Sequence, residues 1–382
     1  MNDNASSGAP HIRAGLGLWD AISIIVGIVV GTSIFRATSA IFDNAGGPTT
    51  AILLWLAGGM LAWCGAVCYA ELATSFPRDG GDYEYLNRAF GSWCGFLFAW
   101  AQITTIISGN IGIMSYVFAD YAGQAWPELK PHTLALTSGS IIALSALNAL
   151  GVVAGKAAQN ALTATKVVGL GGIVIAAALT STSAASSSAP RVAVPATSGP
   201  NLGLALVFVL YAYGGWQHAA YVAAEVRNQR RNLPRALTFG IVGISLIYLV
   251  VNAGYLHALG FETARRAITP AADVLEHSCG AWAAKAISTL VMLSALGAIN
   301  GMILTGTRIY AVWGADYPAL KWLSTWNERR ATPITAIALQ AIIALTLVFL
   351  VGTAAGQNAF DVALNRVGLS SLPWQKFPGG FE

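Results

Sequence analysis

The sequence predicts an all-α protein that crosses a membrane many times. Only 10% of its 382 residues are charged while 55% are hydrophobic; a soluble domain carries about 25% charged residues, and so few could not cover a soluble protein of this size. The charges are also clustered, which leaves stretches of roughly 20 residues nearly free of them, the length a helix needs to cross a hydrocarbon core of about 30 Å. Glycine, at 41 residues, suits helices that approach one another closely in lipid through small side chains.

Hydropathy places nine spans near residues 17–42, 48–75, 90–121, 133–151, 156–181, 202–226, 235–259, 281–313 and 333–352. The polar, mildly basic start MNDNASSGAPHIRAG runs straight into the first span with no small-residue cleavage site, which predicts a retained helix rather than a removed signal peptide. Several spans exceed 25 residues, which permits tilt or interruption. The stretch STSAASSSAPRVAVPATSGP (181–200) is too polar and Pro/Ser-rich to span, so it divides five spans from the four that follow. Residues 353–382 carry Gln357, Asn358, Asp361, Asn365, Arg366, Pro373, Lys376 and Pro378 and cannot span a bilayer either. Cys64, Cys68, Cys94 and Cys279 form no CxxC pair and read as small apolar packing residues.

Orientation follows from the lysines and arginines. With the N-terminus in the cytoplasm, the inner side receives Arg13, Arg78, Arg88, Lys156, Arg227, Arg230, Arg231, Arg235, Arg308, Lys321, Arg329 and Arg330, and the outer side Arg36, Lys130, Arg191, Arg265 and Arg266. That bias predicts a cytoplasmic N-terminus and, with nine spans, an extracytoplasmic 353–382. The run Arg227 to Arg235 reads as a topology determinant rather than a nucleic-acid or lipid-binding patch. Glu71 and Glu225 each close an apolar helix near the inner face, where both are expected to pair with arginines such as Arg78 and Arg227.

Two spans do not read as continuous helices. In the first, Ala21 to Val30 is apolar before Gly31-Thr32-Ser33 interrupts; in the sixth, Val207 to Tyr213 is apolar before Gly214-Gly215 interrupts. Either interruption alone would fit an ordinary packing face. Together they fall at the first helix of each half of a five-plus-five architecture, and glycine-interrupted spans at corresponding positions are the best sequence pointer to a carrier's midplane binding site. Freed amides at the start of an outer half-helix suit a carboxylate and opposing carbonyls suit an ammonium, so a zwitterion fits such a site without a charged side chain. HExxH, GxSxG and Walker-type loops are absent from the sequence, so catalysis has no candidate constellation and no cofactor or metal is expected.

At these residues the resemblance becomes specific. GIVVGTSIF (27–35) resembles the first-helix signature of the amino acid–polyamine–organocation (APC) superfamily. GGPTTAILLWLAGGMLAWCGAVCYAELATSFPRDGGDYEYL (46–86), FVLYAYGGWQHAAYVAAEVRNQRRNLPRAL (208–237) and SALGAINGMILTGTRIYAVWGAD (294–316) are similar to the second, sixth and eighth helices of its LAT-like amino acid transporter branch. The resemblance covers about residues 15–352 and implies a LeuT-like inverted-repeat (5+5) fold with helices 1 and 6 broken and a permease domain over 1–352. It further implies substrate contact at Gly31, Thr32, Ser33 and Ile34 in the first break and at Tyr211, Gly214 and Gly215 in the sixth. Tyr211 stands where the family often has a gating Phe, and Ser33 departs from its usual Gly, which narrows the pocket or adds a hydroxyl.

Lys166 lies in the fifth span, where a buried amine is costly without partners. In resembling carriers a lysine here takes the place of a sodium ion and braces the first helix, which implies sodium independence; a proton-carrying role is the second reading, and a snorkelling lysine a third. His218 reads first as polar packing and second as a proton sensor. The expected function is an amino acid carrier in a bacterial inner membrane, by exchange or proton-coupled uptake, with the lipid bilayer as its surroundings and no nucleic acid partner. A polyamine carrier, which should place an acidic residue near the breaks, and a non-transporting sensor or assembly subunit are the alternatives. The resembling family has twelve helices, so the sequence also predicts a C-terminally truncated version, or a fragment, of a longer carrier.

Overall fold

The computed structural model describes residues 15–31, 33–179, 199–267, 269–279, 282–327 and 329–352; the predicted segments 181–200 and 353–382 lie wholly or almost wholly outside them. The first span is two helices, α1 (Leu18–Val29) and α2 (Ser33–Ala45). Then come α3 (Pro48–Ser75), the short amphipathic α4 (Asp82–Phe90) and α5 (Ser92–Ala125), which includes a π turn at Gln102–Ile106. Two more long helices, α6 (Thr133–Ala149) and α7 (Val152–Leu179), complete the first half. The sixth span is α8 (Leu202–Tyr213), a turn, the single-turn α9 (His218–Tyr221) and a 3-10 turn Ala223–Glu225. After these come α10 (Gln229–Arg266), kinked at Gly260, then α11 (Pro270–Cys279), α12 (Ala283–Asp316) and α13 (Ile334–Gly352).

Six of these helices are long and apolar enough to cross a membrane: α3, α5, α7, α10, α12 and α13. Of the remaining predicted spans, the first and sixth are broken and α6 is a 17-residue helix. Helix ends follow local chemistry. Pro48 at the first turn of α3 gives up no hydrogen bond there, and Asp20 accepts from the Gly17 N–H to cap α1.

The helices bury two apolar clusters. One gathers α1, α2, α3, α8 and α10, with Trp55, Phe35, Phe42 and Tyr248 fully buried. The other gathers α5, α6, α12 and α13 around Tyr310, Trp313 and Ile337. Helix α12 supplies residues to both. In its most apolar window 78% of residues are buried, against 28% to 44% in the other five long spans, so α12 is the core of the bundle and the others present a side to lipid. Close approach depends on small residues: a methyl group on Gly27 of α1 would collide with the Gln159 amide of α7, and one on Gly301 of α12 would lie 2.5 Å from Ile28.

Candidate functional site

The two interruptions meet. Helix α1 ends where Val30 leaves helical geometry (φ −74°, ψ 71°), and the Gly31 N–H folds back onto the Val29 carbonyl at 2.7 Å. Helix α8 ends at Gly214 (φ −63°, ψ 150°), followed by Gly215 at φ +111°. That φ is poorly accessible to residues with a Cβ, and a Cβ on Gly215 would also stand 2.8 Å from Ile28 Cγ2 of α1. Glycine is therefore required at this point for backbone and packing reasons together. The Gln217 side chain accepts from the Gly215 N–H at 3.0 Å, and the His218 N–H reaches the Gly215 carbonyl at 3.2 Å to start α9.

Carbonyls released by the breaks must be satisfied inside the protein. The Tyr248 hydroxyl of α10 lies 3.0 Å from both the Val29 and the Ala212 carbonyl oxygens, one from each broken helix. Ser294 of α12 donates to the Val30 carbonyl at 3.2 Å. The Val29 carbonyl also takes the Gly31 N–H, and each carbonyl oxygen has a second lone pair, so the junction gathers acceptors from both broken helices. Helix α2 begins at Ser33, so its first-turn amides lie at the break. The junction thus offers acceptors from α1 and α8 and the positive end of α2, without a charged side chain among residues 21–35.

The sequence-predicted residues distribute unevenly over this junction. Gly31, Ser33 and Ile34 stand at the first break, with Gly31 and Ile34 buried; Thr32 lies outside the described residues. Gly214 and Gly215 form the second break. Tyr211 is 66% exposed, on a stripe of α8 with Leu204, Val207 and Leu210, whereas Tyr213 is buried and donates to the Trp55 carbonyl at 3.1 Å. Lys166 is fully buried on α7 and donates to the Gly27 carbonyl of α1 at 2.7 Å. His218 is buried, its Nδ1 2.7 Å from the Thr305 hydroxyl.

Several residues that sequence reading passed over hold this arrangement. Thr163 donates to the Ser23 carbonyl at 3.0 Å. Asn300 of α12 donates to Gln159 Oε1 at 2.8 Å and to the Gly155 carbonyl, and accepts from Asn148 at 2.8 Å, which ties α6, α7 and α12 together. For Asn148, Gln159 and Asn300, side-chain amides set within otherwise apolar helices are the signal that could have flagged them.

The ion pairs depart from expectation. Glu225 pairs not with Arg227 but with Arg308 of α12, through Nε at 2.7 Å and Nη2 at 3.2 Å, both side chains being almost wholly buried. Arg78 pairs not with Glu71 but with Glu84 at 3.0 Å and Asp316 at 2.5 Å. Glu71 is exposed, and among the described residues its carboxylate accepts from Ser75 at 3.4 Å. Sequence neighbours pointed the wrong way because the broken sixth span turns Glu225 inward toward α12. At this end of the bundle Leu16 forms a parallel bridge with Val226, its N–H bonding the Glu225 carbonyl at 3.0 Å and its carbonyl accepting from Arg227 at 2.8 Å. Asp20 is held by Lys156 and Asn160, and Asp82 by Tyr69 and Tyr221. These contacts tie α1 to the 225–227 segment and to α7 at the Leu16 end of the bundle.

Comparison with known proteins agrees with this geometry. The amino acid permease family matches residues 16–372. The human b(0,+)-type amino acid transporter 1 is 32% identical over 343 residues, covering 86% of this chain and 68% of that protein. The rabbit (Oryctolagus cuniculus) large neutral amino acids transporter small subunit 2 is 29% identical over 354 residues, covering 90% of this chain and 66% of that protein. The chain thus spans about two thirds of the length of these curated relatives. Among solved structures, a substrate-bound, outward-open Na+-coupled sialic acid symporter superposes with a TM-score of 0.58 over 90% of this chain and 77% of that one, at 13% identity, so the all-α, LeuT-like fold is shared. With broken first and sixth spans meeting inside a helical bundle, and a family match over nearly its whole length, this chain belongs to the amino acid permease family.

Proposed function

We propose that this chain forms the transport core of a secondary carrier that moves amino acids across a bilayer by alternating access around the α1/α2–α8/α9 junction. The observation that carries this reading is the shared Tyr248 hydroxyl, which draws the freed Val29 and Ala212 carbonyls to one point. Acceptors there match an ammonium, and the α2 amides match a carboxylate. Gly31, Thr32, Ser33, Ile34, Gly214 and Gly215 are the proposed substrate contacts, with Tyr211 at the outer edge of α8. Residues 202–224 carry no Asp or Glu, nor do residues 21–35, which favours a zwitterion over a polyamine. Lys166, whose ammonium is positioned where it supports α1 from inside, favours sodium-independent exchange or proton-coupled uptake; the relative named for its sodium coupling shares the fold alone.

The Leu16 end, which carries most of the arginines, is proposed to face the cytoplasm of a bacterial cell. The permease domain then runs through 1–352 with 353–382 extracytoplasmic, and no catalytic role is assigned. Purified protein reconstituted in liposomes should show saturable uptake or exchange of at least one amino acid in a labelled panel. Failure with every amino acid, with and without a proton gradient, would refute the carrier.

A further inference from the structure

The Leu16 end holds more carboxylate than cation in one buried place. Asp79, in the loop between α3 and α4, is 1% exposed. Its Oδ1 accepts from the Ala224 N–H at 2.7 Å, and its Oδ2 has no partner among the described residues. Glu225, also buried, is the next residue after Ala224. The cation that acts on Asp79 most strongly is Arg308, and it is engaged elsewhere: Nε and Nη2 with Glu225, and Nη1 with the Leu304 carbonyl at 2.6 Å and the Thr307 hydroxyl at 3.3 Å. Arg78, on Asp79's own loop, is turned to Glu84 and Asp316, and Asp82 beyond it is held by Tyr69 and Tyr221. Two carboxylates that share one guanidinium in a dry site cannot both stay ionised without a large penalty.

We propose that Asp79 is a proton-binding site, occupied while the loop 76–81 is docked against the 218–226 segment, and emptied when the two part. Burial first, and the charge of Glu225 second, push its carboxyl up to about 8, against the partial relief given by the Ala224 N–H, Arg308 and Arg78. The docking is made by few bonds: Ala224 N–H to Asp79, Gly80 N–H to the Tyr221 carbonyl at 3.2 Å, and the Tyr221 hydroxyl to Asp82 at 2.7 Å. Separation exposes Asp79 to water, where its ordinary value near 3.8 returns and the proton leaves to that side. Inward opening would therefore release a proton, a step carried by Asp79 and independent of Lys166. The consequence for transport rests on the carrier reading above; the proton site itself does not.

The test uses the full chain in lipid nanodiscs and infrared difference spectroscopy across a pH titration. A protonated-carboxyl band should fade as pH rises through about 8, should be missing in Asp79→Asn and Asp79→Ser, and should persist in Glu71→Gln, whose carboxyl is exposed. The serine variant keeps an acceptor for the Ala224 N–H and serves if the asparagine variant folds poorly. A wild-type spectrum without the band, or a band unchanged in both Asp79 variants, overturns the proposal. In liposomes, Asp79→Asn should flatten the pH profile of uptake; a profile identical to wild type overturns the coupling. A wild type that transports nothing sinks the carrier reading and leaves the spectroscopic result standing.

Discussion

The ammonium of Lys166 donates to the carbonyl oxygen of Gly27 at 2.7 Å, with both residues buried. A charged side chain at mid-membrane costs about 2.5–3.5 kcal/mol, and more when it is desolvated without relief. One hydrogen bond to a charged group returns about 1.5–3 kcal/mol. The lysine therefore costs roughly what it gains, and its place is explained by what it fixes: the last turns of α1 before the break.

Replacement of Lys166 by Ala should release that turn. Initial uptake should fall by about tenfold or more, equivalent to roughly 1.4 kcal/mol of transition-state stabilisation, with the protein still inserted and monodisperse. Uptake rates at several pH values check this; rates equal to wild type at all of them would remove both the brace and a proton-carrying role for this residue.

Tyr248→Phe keeps the edge-to-face ring contacts with Trp55 and Tyr213, whose centroids lie 5.0 Å and 5.2 Å away, and deletes only the shared hydroxyl. Stability should drop by about 1–2 kcal/mol for the lost bond and the exposed acceptors. The apparent KM should also change, because the two half-helices lose their common tie. Thermal melting in detergent and uptake kinetics measure the two effects, and an unchanged pair of values would show the contact to be incidental.

Gly31 and Gly215 separate folding from transport. Alanine at 215 meets both the φ of +111° and Ile28, and should destabilise by about 1–3 kcal/mol. Alanine at 31 has its nearest contact at 3.6 Å, from the Ile28 carbonyl, so the fold should hold while uptake falls. Melting curves set beside uptake rates test the contrast; equal effects on both would mean that neither glycine is a substrate contact.

Arg308→Met strands Glu225 as a buried unpaired charge, a loss of about 3–5 kcal/mol for such a pair. The double variant Arg308→Met, Glu225→Gln should recover much of it. Thermal midpoints of both singles and the double provide the cycle, and a double no better than the singles would mean the pair contributes only through its shape.

Asp79 sets the sign of a pH effect. Its folded value is raised from 3.8 to about 8, so the folded protein binds the proton more tightly than the unfolded chain. The stabilisation is fully present below about pH 4 and is lost as pH rises through about 8. Thermal midpoints should fall over that window more steeply in wild type than in Asp79→Asn; parallel curves would contradict the assignment.

Much of the fold was legible because lipid makes apolar length so direct a signal: α3 spans Pro48–Ser75, as hydropathy placed it. The breaks were legible as well, since adjacent glycines weaken a helix just where an apolar run would otherwise continue it. What stayed hidden is what joins distant segments. Tyr248 sits in the apolar run LIYLVV and reads as core until α10 is seen to cross both breaks. The π turn at Gln102–Ile106 has no glycine or proline to announce it. Glu225 misled because its partner is 83 residues away while several arginines stand within ten.

The depth of α12 sets a mechanical limit. A helix with lipid on one side can swing by sliding along that side, but α12 touches α1, α5, α6, α7, α11 and α13, and shifting it would break contacts in every direction together. Motion is cheaper for the long helices that present a side to lipid. The helix is then an axle, and variation along it should be felt as wobble in both halves at once.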